Sequence, residues 1–102
     1  MSEQFLYRFV PGERPELADG PAAWTGEDRA VAARHVEYLE AGAAAGTVIL
    51  AGRSQDWLGP AVVILEAEAA PEARRFMEGD PFVARGLFGA ELHPFRVAVR
   101  RS

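Results

Sequence analysis

One histidine lies on the apolar side of a segment whose pattern predicts an amphipathic helix. At three- and four-residue spacing, that side carries Val31, His35, Tyr38, Leu39 and Gly42. A buried imidazole, which takes up a proton near neutral pH, needs a hydrogen-bonding partner. His35 is therefore a candidate general base or acid. The alternative is a packed helix histidine whose two nitrogens are satisfied by backbone or water.

The candidate partner of His35 is Asp80, far along the chain in Gly79-Asp80-Pro81-Phe82. An aspartate directly before a proline that opens a helical turn is expected to cap that turn. Both roles are compatible, because one carboxylate oxygen can cap the turn while the other accepts a hydrogen bond from the imidazole. Such a bond would fix the tautomer of the ring and raise its basicity. We predict a catalytic pair of His35 and Asp80.

The remaining polar residues match no established catalytic or metal motif. The spacing of His93 from His35 fits no zinc pattern, so we expect no metal site. Ser54 could form a catalytic triad with His35 and Asp80, yet the GxSxG pattern of a nucleophile elbow is missing. No glycine pattern for phosphate binding is present either. We therefore expect that the protein needs no cofactor.

Aromatic residues could form the wall of an apolar pocket beside the pair. We predict Trp24, Trp57, Phe82 and His93 as the residues that bind the substrate. The alternative is that the three aromatic rings belong to the core and that His93 faces solvent. Trp24 is the large apolar residue of a long loop, residues 11–24, and could either pack on the core or cover a pocket.

Length and composition bound the class of protein. The 102 residues predict one domain, residues 1–102, and the net charge of −4 argues against nucleic-acid binding, which needs a clustered basic face. The chain has no cysteine, which excludes disulfides and fits a reducing compartment. No apolar run approaches the about 18 residues of a membrane span, and the basic start of a signal peptide is missing. We expect a cytoplasmic protein that does not bind a membrane.

The pattern of apolar runs and turn residues predicts the element order β-α-β-β-α-β. The predicted strands cover residues 5–10, 47–51, 61–66 and 87–99. The first predicted helix begins after Thr25, with Asp28 completing a capping box, and ends near Gly46. The second covers residues 71–78, and a short helical turn follows Asp80. The third strand is apolar throughout, which indicates a central position. The fourth is interrupted around His93-Pro94, and the proline indicates either an edge position or a bulge.

This order is typical of an α+β, ferredoxin-like fold with a four-stranded antiparallel sheet and both helices on one face. The other face of the sheet must also be covered. In a domain this small, a second copy of the chain is the simplest cover, which predicts a homodimer through the sheet face.

Several short motifs, in this order, resemble those of the YCII-related (YciI-like) family. They are His35-Val36-Glu37-Tyr38-Leu39, Gly46, Ala51-Gly52, Gly59, Asp80-Pro81-Phe82-Val83 and Glu91-Leu92-His93-Pro94-Phe95. The resemblance implies a homodimer of the dimeric α+β barrel type. It also implies a pocket in which the helix histidine and the aspartate of the DPF turn, here His35 and Asp80, approach each other.

The resemblance also implies a class of reaction. One branch of the family removes hydrogen chloride from a chlorinated, hydroxylated aromatic, so we expect a cofactor-independent lyase of dehydrochlorinase type with a small cyclic or aromatic substrate. Some relatives carry a small hydroxyl residue after the glycine that matches Gly59, where this chain has Pro60. The alternative function is a non-catalytic, dimeric module that binds a metabolite. A third hypothesis follows from other proteins with a dimeric α+β barrel, which include cofactor-free monooxygenases, isomerases and haem-binding proteins.

Overall fold

The structure, a computed structural model, describes residues 2–101. The strands are β1 (Glu3–Pro11), β2 (Val48–Arg53), β3 (Ala61–Ala67) and β4 (Phe88–Phe95), and the helices are α1 (Gly26–Ala44), α2 (Ala70–Gly79) and α3 (Pro81–Ala84). The predicted element order is confirmed. The loop after β1 is more ordered than expected, because it forms two short 3₁₀ helices, Pro15–Asp19 and Pro21–Ala23.

The four strands form one antiparallel sheet in the order β2-β3-β1-β4. The two inner strands are β1 and β3, so the central position predicted for the apolar third strand is confirmed. Alternate residues of these strands are buried, with Phe5 and Tyr7 on β1 packing beside Val63 and Leu65 on β3. Ala73 and Met77 of α2 belong to the same core cluster. One face of the sheet therefore carries the helices and most of the core.

The opposite face of the sheet carries apolar side chains that the helices do not cover. Leu6 pairs with Ile64, and Ile64 pairs with Leu50 on the next strand. Leu50 is 51% exposed, although it is a large aliphatic residue. Leu6 and Ile64 are only half-buried. A salt bridge of 3.2 Å between Arg8 and Glu91 borders this open sheet face.

Helix α1 begins and ends where the sequence predicts. The Thr25 hydroxyl accepts a hydrogen bond from the Asp28 amide, and the Asp28 carboxylate accepts one from the Thr25 amide, which together make a capping box. The helix gives way to Gly46, whose positive φ of 85° favours glycine. Near this end, Gly42 allows close packing, because a Cβ atom there would lie 2.8 Å from Val48 Cγ2 and 3.0 Å from Phe76 Cζ.

The last strand is shorter than the sequence predicts. β4 ends at Phe95 rather than at residue 99, because its pairing with β1 runs out there, where Phe95 is opposite Gln4. Pro94 lies on this edge strand as expected, where a missing N–H is tolerated. Within residues 2–101, no helix combines the length and the hydropathy that crossing a membrane would require.

Candidate active site

The junction of α2 and α3 holds a fully buried carboxylate. Asp80 is the residue between the two helices, and its side chain is 0% exposed. Its Oδ1 atom accepts a hydrogen bond of 3.0 Å from the Phe82 amide, so Asp80 caps α3 as the sequence predicts. A buried carboxylate with only this one partner would be costly, because charge is poorly solvated in the interior. Further donors must therefore reach it.

The first further donor is the histidine of α1. His35 Nδ1 lies 2.7 Å from Asp80 Oδ1, so the structure brings the two predicted residues into direct contact across 45 positions of the chain. The imidazole is also held by two aromatic rings. Phe82 stacks on it with a centroid distance of 4.0 Å and an interplanar angle of 25°, and Phe9 meets it edge-on at 5.6 Å. These contacts fix the ring plane as well as one of its nitrogens.

The second further donor is a tyrosine that sequence reasoning missed. Tyr7 is completely buried on β1, and its hydroxyl donates a hydrogen bond of 2.8 Å to Asp80 Oδ2. Burial raises the pKa of Tyr7 well above its usual value, and the negative charge and hydrogen bond of Asp80 raise it further. Tyr7 therefore stays a neutral donor. A signal was available, because Tyr7 is flanked at two-residue spacing by Phe5 and Phe9, and a buried hydroxyl needs a partner.

The hydrogen bonds around Asp80 define where the protons lie. Three groups converge on its oxygens: the Phe82 amide, the Tyr7 hydroxyl and His35 Nδ1. When Asp80 is ionised, its carboxylate only accepts, so all three partners donate and Nδ1 of the imidazole carries the proton. In the neutral ring, Nε2 then has the free electron pair.

Nε2 of His35 is the ring nitrogen that the hydrogen bond to Asp80 does not use. No atom of residues 2–101 hydrogen bonds to it, and every fully buried side-chain nitrogen or oxygen in that range has a partner. Nε2 must therefore reach solvent, in agreement with a side chain that is 13% exposed. A basic nitrogen with a fixed tautomer and an accessible lone pair can take a proton from a bound molecule.

Tyr38, one helical turn beyond His35, holds α1 against the end of α2. Its hydroxyl donates a hydrogen bond of 2.8 Å to the Phe76 carbonyl. The same hydroxyl would be 2.7 Å from a Cβ atom at position 79, so Gly79 is required for this close approach. Burial raises the pKa of Tyr38, and the charge of Asp80 adds to the effect. This contact helps to keep the His35 side of α1 over Asp80.

The predicted aromatic residues lie together beside His35. Trp24 meets Phe82 edge-on at 5.9 Å and Trp57 at 5.8 Å. Its indole N–H donates a hydrogen bond of 3.0 Å to the Leu17 carbonyl, so the loop after β1 folds onto the core rather than away from it. The structure thus joins Trp24, Trp57 and Phe82 in one aromatic cluster that ends at the imidazole. Their role in substrate binding stays a prediction.

His93 is not brought to this cluster within one chain. It is opposite Leu6 on β1, and side chains alternate between the two faces of a sheet, so it lies on the open sheet face while Tyr7 faces the helices. Its side chain is 56% exposed, and its Nε2 atom is 3.9 Å from Glu91 Oε1. A role for His93 in the same ligand site stays a prediction that one chain does not support.

Within residues 2–101, neither a serine triad nor a metal site is formed at the pair of His35 and Asp80. The Ser54 hydroxyl donates to the Asp56 carboxylate in the turn between β2 and β3, so no triad with His35 is formed. No group of three or more possible metal ligands gathers within residues 2–101. Two surface concavities, one around Glu66 and Arg75 and one around Arg14 and Arg85, include neither His35 nor Asp80.

Comparison with known proteins places the chain in a family and a fold. The YCII-related domain matches residues 13–96, so the chain belongs to the YCII-related family, as its motifs predicted. A similar solved structure is 5-chloro-2-hydroxyhydroquinone dehydrochlorinase (TftG) from Burkholderia phenoliruptrix AC1100, in complex with 2,5-dihydroxybenzoquinone. It superposes with a TM-score of 0.64 at 24% identity, covering 91% of this chain and 93% of that chain. This likeness confirms the ferredoxin-like α+β fold. No curated protein matches the chain.

Proposed function

We propose that the protein is a cofactor-independent lyase that acts on a small cyclic or aromatic compound. His35 is the general base, and Asp80 holds its ring. The observation that carries the proposal is the 2.7 Å contact between His35 Nδ1 and Asp80 Oδ1, which leaves Nε2 as the accessible basic atom. A general base needs both a free electron pair and a fixed direction, and this contact supplies both.

The proposed step is a proton removal coupled to loss of a leaving group. In a keto tautomer of the substrate, the carbon that bears the leaving group is tetrahedral. Nε2 takes the proton of a ring hydroxyl, and the electron pair of the O–H bond forms a carbonyl. The conjugated ring electrons move towards the tetrahedral carbon, and the leaving group, such as chloride, departs with its bonding pair. The net change is loss of one acid molecule, and the imidazolium beside Asp80 then returns its proton to solvent.

The aromatic cluster supports a flat, apolar substrate. Phe82 stacks on the imidazole, and Trp24 and Trp57 extend the ring contacts away from it. Flat rings pack on such side chains with geometry that fixes their orientation. The similar fold of the dehydrochlorinase, which binds a dihydroxylated quinone, is consistent with this substrate class.

We further propose that the protein is a homodimer through the open sheet face. Leu6, Ile64 and Leu50 form a contiguous apolar surface across three strands. Apolar surface of this kind is stabilised when a partner removes it from water. A two-fold symmetric pairing of two such sheets would cover both at once.

The test of the lyase proposal is release of halide from chlorinated hydroquinones, beginning with 5-chloro-2-hydroxyhydroquinone. The His35→Ala variant should lose at least about 100-fold in rate, the usual size of a general-base contribution. Val36→Ala, at the next and exposed position of α1, is the matched control and should keep the wild-type rate. Equal rates for wild type and His35→Ala would refute the assignment of His35 as the base.

A non-catalytic metabolite-binding module is the alternative function. It shares the same site but makes a different prediction. The candidate compounds would then raise the melting temperature of the wild-type protein without any halide or product forming over long incubation. His35→Ala would reduce this stabilisation, because the ligand would lose a hydrogen-bonding partner.

A further inference from the structure

Arg53 lies on the helix side of the sheet, at the end of β2. It pairs with Ala61, and Ala51, two residues earlier, pairs with Val63, which in turn pairs with Tyr7. Since side chains two residues apart share a face, Arg53 is on the same side as the Tyr7 ring and therefore the same side as His35. Sequence reasoning did not single out this residue.

The guanidinium group of Arg53 has no acidic partner. Its central carbon lies 4.1 Å from the centroid of the Trp57 ring, a cation–π contact. One of its nitrogens donates a hydrogen bond of 3.1 Å to the Ser54 carbonyl. No carboxylate within residues 2–101 forms a salt bridge with it. Most of its five N–H donors are thus oriented by the ring and still available to a ligand.

Trp57 is held in a conformation that large residues rarely adopt. Its φ of 63° is in the left-handed region. Two hydrogen bonds of the turn keep it there. The Trp57 amide donates one of 3.3 Å to the Ser54 carbonyl, and the Leu58 amide donates one of 2.9 Å to the side-chain oxygen Asp56 Oδ1. The indole also packs against Gly20 of the loop after β1. Such strain persists only where the surroundings impose it, and it occurs preferentially at ligand sites.

Ring contacts connect Arg53 to His35. The guanidinium lies over Trp57, the Trp57 ring meets the Trp24 ring at 5.8 Å, and the Trp24 ring meets the Phe82 ring at 5.9 Å. Phe82 in turn stacks on the imidazole at 4.0 Å. Arg53 therefore lies at one end of the aromatic cluster and His35 at the other.

We propose that Arg53 is the anion-binding residue of the His35 site and that the substrate is a flat ring with a negatively charged oxygen, a phenolate, enolate or carboxylate. This inference rests on the lyase proposal and adds the charge of its substrate. A guanidinium plane fixed by Trp57 can donate two parallel hydrogen bonds to a carboxylate, or charge-assisted hydrogen bonds to a single phenolate or enolate oxygen. It also stabilises the negative charge that develops when His35 removes a proton from the other edge of the ring.

The test uses 2,5-dihydroxybenzoquinone, whose enolic hydroxyl groups ionise readily, as the probe. Binding is followed by calorimetry and by the NMR signals of the His35 ring. Arg53→Gln should weaken binding by about 10- to 100-fold, the usual size of a lost hydrogen bond to a charged group. Arg53→Lys should restore only part of it, because a lysine lacks the planar pair of donors. Arg74→Gln, an equal charge change at an exposed position of α2, is the matched control and should bind like wild type.

The outcomes separate the two proposals. Equal affinities for Arg53→Gln and Arg74→Gln would overturn the role of Arg53 while leaving the role of His35 intact. Loss of affinity in Arg53→Gln with unchanged halide release in His35→Ala would refute the assignment of His35 as the base and retain the anion site. A probe that neither binds the wild-type protein nor moves its His35 signals would overturn the anion-binding proposal.

Discussion

The Tyr7 hydroxyl donates a buried hydrogen bond of 2.8 Å to Asp80, across 73 positions of the chain. Through this bond, an inner strand of the sheet holds the same carboxylate that holds His35 on α1. Asp80 therefore joins three elements, β1, α1 and the α2–α3 junction, at one point. The orientation of the candidate base therefore depends in part on two fully buried side chains, Tyr7 and Asp80.

Replacing Tyr7 by Phe should destabilise the fold and loosen the His35 ring. The change leaves Asp80 Oδ2 buried without its donor, and an unsatisfied buried acceptor costs about 1–3 kcal/mol. Urea unfolding at pH 7 should show a loss of this size. Tyr38→Phe, which removes a half-buried hydrogen bond to a backbone carbonyl, is the control and should cost only about 0.5–1.5 kcal/mol. A Tyr7→Phe variant as stable as wild type would show that the bond contributes nothing.

Replacing Asp80 by Asn keeps its role as the cap of α3 and removes its negative charge. Asparagine caps helices as well as aspartate does, so α3 should persist. The negative charge that accepts the hydrogen bond of the imidazole is lost, so the ring is held less firmly. The NMR signals of the His35 ring at a fixed pH should therefore differ between the variant and wild type, with a His93→Gln background to assign them. Unchanged His35 signals would mean that Asp80 acts only as a helix cap.

The parts of the site that the sequence could predict were local or periodic. The helical spacing around His35 indicated its buried face, and the Asp80-Pro81 pair indicated a capped turn. The contact between His35 and Asp80 depends on the fold, so neither local pattern could predict it. The expectation that the two residues approach each other came from the resemblance to the YCII-related family. Tyr7 was missed because an aromatic residue in an apolar strand is adequately explained as core, and its hydroxyl partner is 73 positions away.

The position of Arg53 was beyond sequence reasoning for a different reason. The face of the sheet on which the Arg53 side chain lies depends on the register shift between Val48 and Leu50. This shift exchanges the two faces for the side chains of the later residues of β2. A strict alternation from buried Val48 would have placed Ala51 and Arg53 on the open sheet face. His93 illustrates the opposite case, since its pairing with Leu6 on a regular strand is sufficient to put it on that face.

The ion pair between Arg14 and Asp28 should make stability depend on pH in acid. Two nitrogens of Arg14 donate to the Asp28 carboxylate at 3.0 and 2.7 Å. These bonds first, and the Thr25 amide second, lower the pKa of Asp28 from 3.8 to about 2. A folded-state pKa below the unfolded value means that the stabilisation is complete above pH 3.8 and is lost as the pH falls towards 2.

Asp28→Asn measures this contribution. The variant should be less stable than wild type at pH 7, and the difference in unfolding free energy should shrink between pH 4 and pH 2 in a urea series. Arg14→Gln should reproduce most of the effect, because Arg14 is the largest cause of the lowered pKa. A difference that stayed constant down to pH 2 would show that the ionisation of Asp28 does not contribute to stability.

The open sheet face leads to the prediction that a charge at its centre separates the dimer without unfolding the chain. Ile64 lies between Leu6 and Leu50 on this face, while its neighbours Val63 and Leu65 are buried beneath the helices. An Ile64→Glu side chain can remain in water in a single chain, but in a paired sheet it would be buried without a partner. Sedimentation should give twice 11.1 kDa for wild type and 11.1 kDa for the variant. Val36→Glu, at an exposed position of α1, should keep the wild-type mass, and a wild-type mass of 11.1 kDa at high concentration would contradict the proposed dimer.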